Sequence, residues 1–335
     1  MTTSPEWLQL RVEAPIEPDL PIIDPHHHFW DRGGQRYFLP ELAADLAGQN
    51  VRQTVFVEAT WAHRTDGPVE LRPVGETEFV DDLARQSADG ATGDLRAAAG
   101  IVGTADLRLG DAVAPVLEAH LAASPLRFRG IRHRAAWVDP ADAPGRQSET
   151  PQGILLDAKF RAGFAQLAKH NLTFDAWLYH PQITELTDLA RAFPETTIIL
   201  NHLGGPLGIG TFAGKRAEIF AQWKIDIAEI AKLPNVMMKV GGIQMTMNGF
   251  GWHERPLPPS SQELLAENRP WYMYVIEQFG PDRCMFESNF PPDRLSCSYT
   301  TLWNQFKLLT KDFTPSERAA LFHDTALRVY RLERR

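Results

Sequence analysis

The stretch Ile22-Ile23-Asp24-Pro25-His26-His27-His28-Phe29-Trp30 places three consecutive histidines directly after an apolar run. Side chains alternate between the two faces of a strand, so His26 and His28 share one face and His27 takes the other. Two imidazoles on one face can bind a metal ion or a substrate carbonyl, because histidine is the commonest metal ligand. The alternative is a histidine run packed into the core, and the rest of the chain decides between the two.

Seven further short apolar segments follow, each ending in polar or glycine-rich residues and separated from the next by a helical pattern. The eight segments are residues 22–30, 53–60, 96–106, 128–137, 172–180, 196–205, 235–244 and 283–291. Short runs rich in Val, Ile and Phe favour buried strands, and alternation of strand and helix predicts a parallel sheet. Eight such units predict an α/β fold, the (β/α)₈ TIM barrel.

Three long connections follow the second, fourth and seventh predicted strands, at residues 61–77, 138–157 and 245–270. Connections at the carboxyl ends of barrel strands build the active sites of such folds. The last one is rich in Gly, Pro and aromatic residues, so we interpret it as a lid that covers the substrate and excludes water. Residues 299–310 and 316–330 are predicted to form the closing helices.

The composition limits the range of functions. The chain has 335 residues, 34 Lys and Arg against 42 Asp and Glu, and a net charge of −8. The acidic balance argues against a nucleic acid or an anionic membrane as partner. The two cysteines are too few for a disulfide framework, and no signal peptide or membrane span is recognisable. We expect an N-terminal arm over residues 1–20, one barrel domain over residues 21–335, a cytoplasmic location and a small-molecule substrate.

Polar residues at the predicted strand ends should meet at one mouth of the barrel. Histidine ends the first, fifth and sixth strands, which is an unusual way to build stability and therefore indicates chemistry. The set consists of His26, His28, Glu58, Arg132, His180, His202, Glu287, Asn289 and Asp293.

These motifs together resemble the amidohydrolase superfamily, in its amidohydrolase-related branch. The resemblance is carried by residues 24–30 (DPHHHFW), 179–182 (YHPQ), 201–205 (NHLGG), 288–291 (SNFP) and 324–330 (DTALRVY). That branch includes sugar-acid lactonases and 2-pyrone-4,6-dicarboxylate lactonase. The resemblance implies a hydrolase that opens a small cyclic ester by attack of water, and we expect that ester to carry a carboxylate or hydroxyl groups.

The resemblance also implies roles for individual residues. His26, His28 and His180 are the implied ligands if one zinc or manganese ion is bound, and they hold the substrate directly if none is. His180 and His202 would stabilise the developing oxyanion, a task worth ~3–4 kcal/mol for a single donor. Substrate contacts are further expected from Trp30, Glu58, Arg132 and Asn289, with the Arg132 guanidinium suited to a carboxylate.

Asn289 departs from the resemblance, because the superfamily usually has aspartate at this position. A carboxamide cannot act as a base near neutral pH and is a poor zinc ligand. The base is then Asp293, Glu287 or a histidine, although Glu287 could instead pair with Lys239, and Asp293 could pair with Arg294. Because no acidic ligand stands at position 289, we expect no tightly bound metal ion. No lysine ends the fourth strand, which argues against a carbamylated two-metal centre.

Two alternatives to lactone hydrolysis stay open at this point. One is a metal-dependent decarboxylase of an unsaturated or aromatic acid, against which Asn289 counts. The other is a catalytically silent barrel that binds a metabolite. The sequence fixes neither the substrate nor the oligomeric state, although the resemblance is compatible with a homodimer.

Overall fold

The computed structural model describes residues 5–143 and 150–334. Eight parallel strands form its central sheet, and they lie side by side in chain order. These strands are β1 (Ile22–His27), β4 (Val51–Val57), β5 (Arg96–Gly103), β6 (Phe128–Ile131), β7 (Thr173–Ala176), β8 (Ile198–Leu200), β9 (Val236–Val240) and β10 (Cys284–Phe286). A short antiparallel hairpin of β2 (Trp30–Arg32) and β3 (Gln35–Tyr37) follows β1.

The residues after β10 bond to the end of β1 and so close the sheet. The amide of His28 donates to the carbonyl of Phe290 at 2.8 Å, and the amide of Asn289 donates to the carbonyl of His26 at 2.9 Å. His27 and Phe290 also form a parallel bridge. The predicted TIM barrel is therefore confirmed.

Helices surround the strands, with their apolar faces turned toward the sheet. Trp223, Ile227 and Ile230, spaced as on one helix face, are fully buried. The α-helices of the described residues are α1 (Pro5–Leu8), α2 (Leu39–Leu46), α3 (Val74–Gln86), α4 (Ala114–Ala123), α5 (Ala158–Lys169), α6 (Ile183–Ala192), α7 (Arg216–Ala231), α8 (Ser261–Phe279), α9 (Tyr299–Leu309), α10 (Pro315–Ala319) and α11 (Thr325–Val329).

The connection after β9 is shorter than the sequence predicts, because α8 already begins at Ser261. The Ser260 hydroxyl accepts from the Glu263 amide while the Glu263 carboxylate accepts from the Ser260 amide, a reciprocal cap that starts the helix. Pro270 lies inside α8 and does not mark its beginning. The lid function of this connection stays a prediction. Part of the connection after β6, residues 144–149, lies outside the described residues.

The N-terminal residues lie against α9. The Ile16 amide donates to Asn304 Oδ1 at 2.8 Å, and Lys307 Nζ donates to the Ile16 carbonyl at 2.6 Å. The division into an arm and a barrel domain stays a prediction. Both cysteines are unpaired and buried, and no described helix has the length and apolar character needed to cross a membrane.

Candidate active site

One buried carboxylate joins two histidines at the carboxyl end of the barrel. Glu287 follows β10 directly and is fully buried. Its Oε1 lies 2.7 Å from His202 Nδ1 and accepts from the His202 amide at 3.1 Å. A carboxylate oxygen only accepts, so His202 carries its proton on Nδ1 and presents Nε2 as an acceptor. The other oxygen, Oε2, lies 2.8 Å from His26 Nδ1.

Three imidazole rings lie close together around this carboxylate. The ring centroid of His26 is 4.5 Å from that of His202 and 5.0 Å from that of His28. Burial holds the pKa of His26 and His28 well below the ordinary range. Burial also lowers the pKa of His202, although Glu287 works in the opposite direction. The site is therefore built from neutral imidazoles near neutral pH.

The strand-one histidines alternate as the sequence predicts. The ring of Trp30, at the start of β2, stacks on His28 with centroids 5.5 Å apart. His27 points to the other side of the strand, where its Nε2 lies 2.8 Å from Thr54 Oγ1. His27 thus has a structural contact within the wall of the barrel, and His28 faces the mouth under Trp30.

His180 is held by contacts of its own, with residues other than His26, His28 and His202. The Leu207 amide donates to His180 Nδ1 at 3.3 Å, and the Phe212 ring packs against the imidazole with centroids 5.4 Å apart. Burial lowers the pKa of His180 to about 4. Because Nδ1 accepts, the neutral ring carries its proton on Nε2, which makes His180 a hydrogen-bond donor.

The donor atoms that could hold a metal ion come from His26, His202 and Glu287, whose ligand atoms lie within 4.8 Å of one another. Glu287 Oε2 is buried and lies 2.8 Å from His26 Nδ1, but no described residue forms a hydrogen bond of good geometry with it. Two imidazoles and such a carboxylate oxygen fit a zinc ion. This group differs from the predicted ligands His26, His28 and His180, because it contains neither His28 nor His180.

Lys239 does not pair with Glu287, which was one alternative that the sequence left open. Its Nζ lies 2.6 Å from Asp175 Oδ1, and Tyr330 Oη donates to the same oxygen at 2.9 Å. The ammonium also lies 3.3 Å from His26 Nδ1. Lys239 and Asp175 therefore form a buried ion pair beneath the histidines, and Glu287 is left to the imidazoles.

A second carboxylate, Glu58, is shared by two arginines. Arg132 and Arg134 each donate from Nε to Glu58 Oε1 at 2.8 Å. Burial opposes ionisation of Glu58, but the two guanidinium groups outweigh it and lower its pKa to about 2. Arg132 is buried and lies 3.4 Å from His26 Nε2, whereas the Arg134 side chain is 45% exposed. Sequence reasoning missed Arg134, although it stands two residues after Arg132 and so on the same face of an extended chain.

A cleft of about 670 Å³ opens at the carboxyl ends of β4 to β7. Glu58, Arg134 and Tyr179 lie in its lining, as does Trp177. The Trp177 ring also contacts the ring of His202, with centroids 4.9 Å apart. The cleft therefore adjoins His202 through the Trp177 ring and has room for a small molecule.

Asn289 and Asp293 contact each other below the mouth. The Asn289 carboxamide lies 2.8 Å from Asp293 Oδ1 and 3.4 Å from His28 Nε2, and the Gln244 amide donates to Asp293 Oδ2 at 3.0 Å. Asp293 is fully buried in the turn Pro292–Leu295. Burial raises its pKa well above the ordinary value, and Glu287 adds to the rise.

The comparisons with known proteins agree with this architecture. The family model described as amidohydrolase matches residues 23–332. An uncharacterised protein of Sinorhizobium fredii is 32% identical, over 94% of this chain and 99% of its own length. The L-fucono-1,5-lactonase of Burkholderia ambifaria is 26% identical, over 93% of this chain and 96% of its own length. A crystal structure of an amidohydrolase from Burkholderia multivorans with bound zinc is 25% identical, covers 93% of this chain and 99% of its own, and has a TM-score of 0.72. This chain belongs to the amidohydrolase family.

Proposed function

We propose that this chain is a hydrolase that opens a small lactone by attack of water on the ester carbonyl. The observation that carries the proposal is the buried Glu287 carboxylate, which lies 2.7 Å from His202 Nδ1 and 2.8 Å from His26 Nδ1 beside an open cleft. The likeness to an L-fucono-1,5-lactonase along nearly the whole chain supports it. We expect the substrate to carry a carboxylate or hydroxyl groups.

The pair of His202 and Glu287 is suited to take the proton of the attacking water. The contact with Glu287 fixes the proton of His202 on Nδ1, which leaves the lone pair of Nε2 for the water. The carboxylate would then stabilise the imidazolium that forms, as the acidic member of a catalytic triad does. Such general-base assistance typically contributes ~10²–10⁴-fold to the rate.

His180 is suited to stabilise the oxyanion that forms on the carbonyl. The Leu207 amide occupies Nδ1, so the neutral ring offers its Nε2–H as a donor. A ring that is neutral near pH 7 keeps this donor without titrating. Arg134 and Glu58 line the cleft as an ion pair in which Nε and Nη2 of Arg134 donate to the carboxylate, and this pair would face polar substituents of the lactone ring.

A divalent metal ion fits the same residues, as an alternative to the general-base arrangement. His26, His202 and Glu287 would hold it, with zinc or manganese suited to imidazole and carboxylate ligands, and His202 would then be a ligand and not the base. A bound ion would polarise the ester carbonyl and lower the pKa of a bound water.

The proposal is tested by assaying the purified protein on a panel of sugar-acid lactones and carboxylated lactones, with proton release and carbon dioxide measured in parallel. We expect proton release without carbon dioxide, and a loss of about 10²–10⁴-fold in kcat for His202→Asn. The half-buried His323, which pairs with Asp324, supplies the matched control His323→Asn, which should keep full activity. Release of carbon dioxide from a panel of hydroxybenzoates would instead support a decarboxylase, and the absence of turnover on every compound would support a silent barrel.

A further inference from the structure

A backbone carbonyl determines which ring nitrogen of His28 carries the proton. His28 Nδ1 lies 2.7 Å from the Val57 carbonyl oxygen, which can only accept. The imidazole therefore carries its proton on Nδ1, and Nε2 is left with a lone pair that needs a donor. The side chain that lies 3.4 Å from Nε2 is the carboxamide of Asn289.

A carboxamide can be turned so that its oxygen and nitrogen exchange places, and the hydrogen-bond network decides which orientation is occupied. With the oxygen of Asn289 toward His28, two acceptors would face each other. With the nitrogen toward His28, the Asn289 N–H donates to Nε2 and the oxygen turns to Asp293, whose Oδ1 lies 2.8 Å from the carboxamide. This second orientation pairs His28 correctly, and it requires that Asp293 be a donor.

The surroundings of Asp293 agree with a proton on its carboxyl group. The side chain is fully buried, and the Gln244 amide already donates to its other oxygen at 3.0 Å. Asp293 interacts electrostatically with three ionisable side chains, Tyr272, Glu287 and Cys297, and none of them carries a positive charge. Among residues 5–143 and 150–334, Asp293 forms no ion pair within 4.0 Å. An ionised carboxylate without a counter-ion is costly in such a place, whereas a neutral acid can donate.

We infer that Asp293 is a positioning residue, which donates its proton to the oxygen of Asn289 so that the nitrogen of Asn289 donates to His28 Nε2. The chain of hydrogen bonds then runs from Asp293 through Asn289 and His28 to the Val57 carbonyl. Asn289 occupies the strand position where the superfamily usually has its proton acceptor. In this chain Asn289 instead fixes the orientation of His28, and another residue accepts the proton of the attacking water.

Two consequences follow for the site. Nε2 of His28 is then already bonded, which agrees with the candidate metal-ligating group of His26, His202 and Glu287, to which His28 does not belong. Asp293 would also not be the general base that the sequence left open as one choice, because a protonated acid cannot take a proton. This second consequence rests on the proposed function, whereas the protonation of Asp293 does not.

Infrared difference spectroscopy of the wild type against Asp293→Asn at pH 7 tests the protonation directly. The wild type should show the carbonyl stretch of a buried carboxylic acid that the variant lacks. A difference spectrum with only the symmetric and antisymmetric bands of a carboxylate would overturn the inference. This readout is independent of any activity, so it decides the inference even if no lactone is turned over.

The kinetics of two variants test the positioning role. An asparagine at 293 can reproduce both hydrogen bonds of the neutral acid, since its NH₂ donates to Asn289 and its oxygen accepts from the Gln244 amide. We expect kcat of Asp293→Asn to stay within about threefold of the wild type, and that of Asp293→Ala to fall about tenfold or more because the donor is lost. A fall of about 10²–10⁴-fold in Asp293→Asn, with intact folding, would identify Asp293 as the base and refute the inference.

Discussion

Replacement of Glu287 by glutamine removes the negative charge between two histidines and keeps the shape of the side chain. In the wild type, one oxygen accepts from His202 Nδ1 at 2.7 Å and from the His202 amide at 3.1 Å. A hydrogen bond to a charged group contributes ~1.5–3 kcal/mol. The glutamine oxygen can still accept, so the orientation of His202 is partly kept, but the imidazolium that forms during the reaction loses its counter-charge.

The expected magnitude follows from these contacts. Weakening of two charge-assisted bonds to neutral ones amounts to ~2–3 kcal/mol, which corresponds to about 30–160-fold in kcat at 1.36 kcal/mol for each factor of ten. KM should change little, because Glu287 is fully buried and has no surface to offer the substrate. The loss therefore belongs to the transition state and not to substrate binding.

Steady-state kinetics on the preferred lactone provides the assay, with thermal unfolding as the check on folding. The matched control is Glu218→Gln, which removes an exposed carboxylate on α7 and should leave both constants unchanged. If Glu287→Gln keeps kcat within threefold, or if its whole effect falls on KM, the proposed role of the carboxylate is refuted.

Three further predictions concern stability and metal binding. Burial and the nearby Glu58 raise the pKa of Glu76 to about 8, so its native carboxyl keeps a proton that the unfolded chain gives up above its ordinary value of 4.5. The stability that this group contributes is complete below pH 4.5 and is lost as the pH rises toward 8, by ~1.4 kcal/mol for each pH unit. In urea titrations, the free energy of unfolding should therefore differ less between pH 5 and pH 8 in Glu76→Gln than in the wild type. Phe286→Ala should lower the free energy of unfolding by ~3–5 kcal/mol in urea titrations, because Phe286 is fully buried with its ring 4.3 Å from that of Phe306. Calorimetric titration with zinc should show weaker binding in His202→Ala than in His180→Ala, and equal weakening would contradict the ligand group described here.

The fold could be predicted from the sequence because its signals are local. Even β8, which has only three residues, follows from the run that ends in Asn201-His202. The alternation of the strand-one histidines also holds, since His27 contacts Thr54 while His26 and His28 turn to the mouth. Periodicity within one strand determines such features.

The contacts between strands could not be predicted in the same way. The meeting of Glu287 with His26 and His202 depends on the register of three strands and on side-chain rotamers, which no local pattern specifies. His180 was expected to share a metal with the strand-one histidines if one is bound, and this role stays a prediction; the bond from the Leu207 amide to its Nδ1 could not be predicted. The position of Asp293 was likewise open, because its buried place depends on the turn Pro292–Leu295.

The central claim is that water attacks the carbonyl of a lactone at the site of Glu287 and His202. Turnover of the preferred lactone in ¹⁸O-labelled water, followed by mass spectrometry of the product, tests it most directly. We expect one labelled oxygen in the new carboxylate of the ring-opened acid, and a rate of labelling that falls with kcat in His202→Asn. A product that carries the label in its hydroxyl group and not in its carboxylate, or labelling at an equal rate in His202→Asn, would contradict the claim.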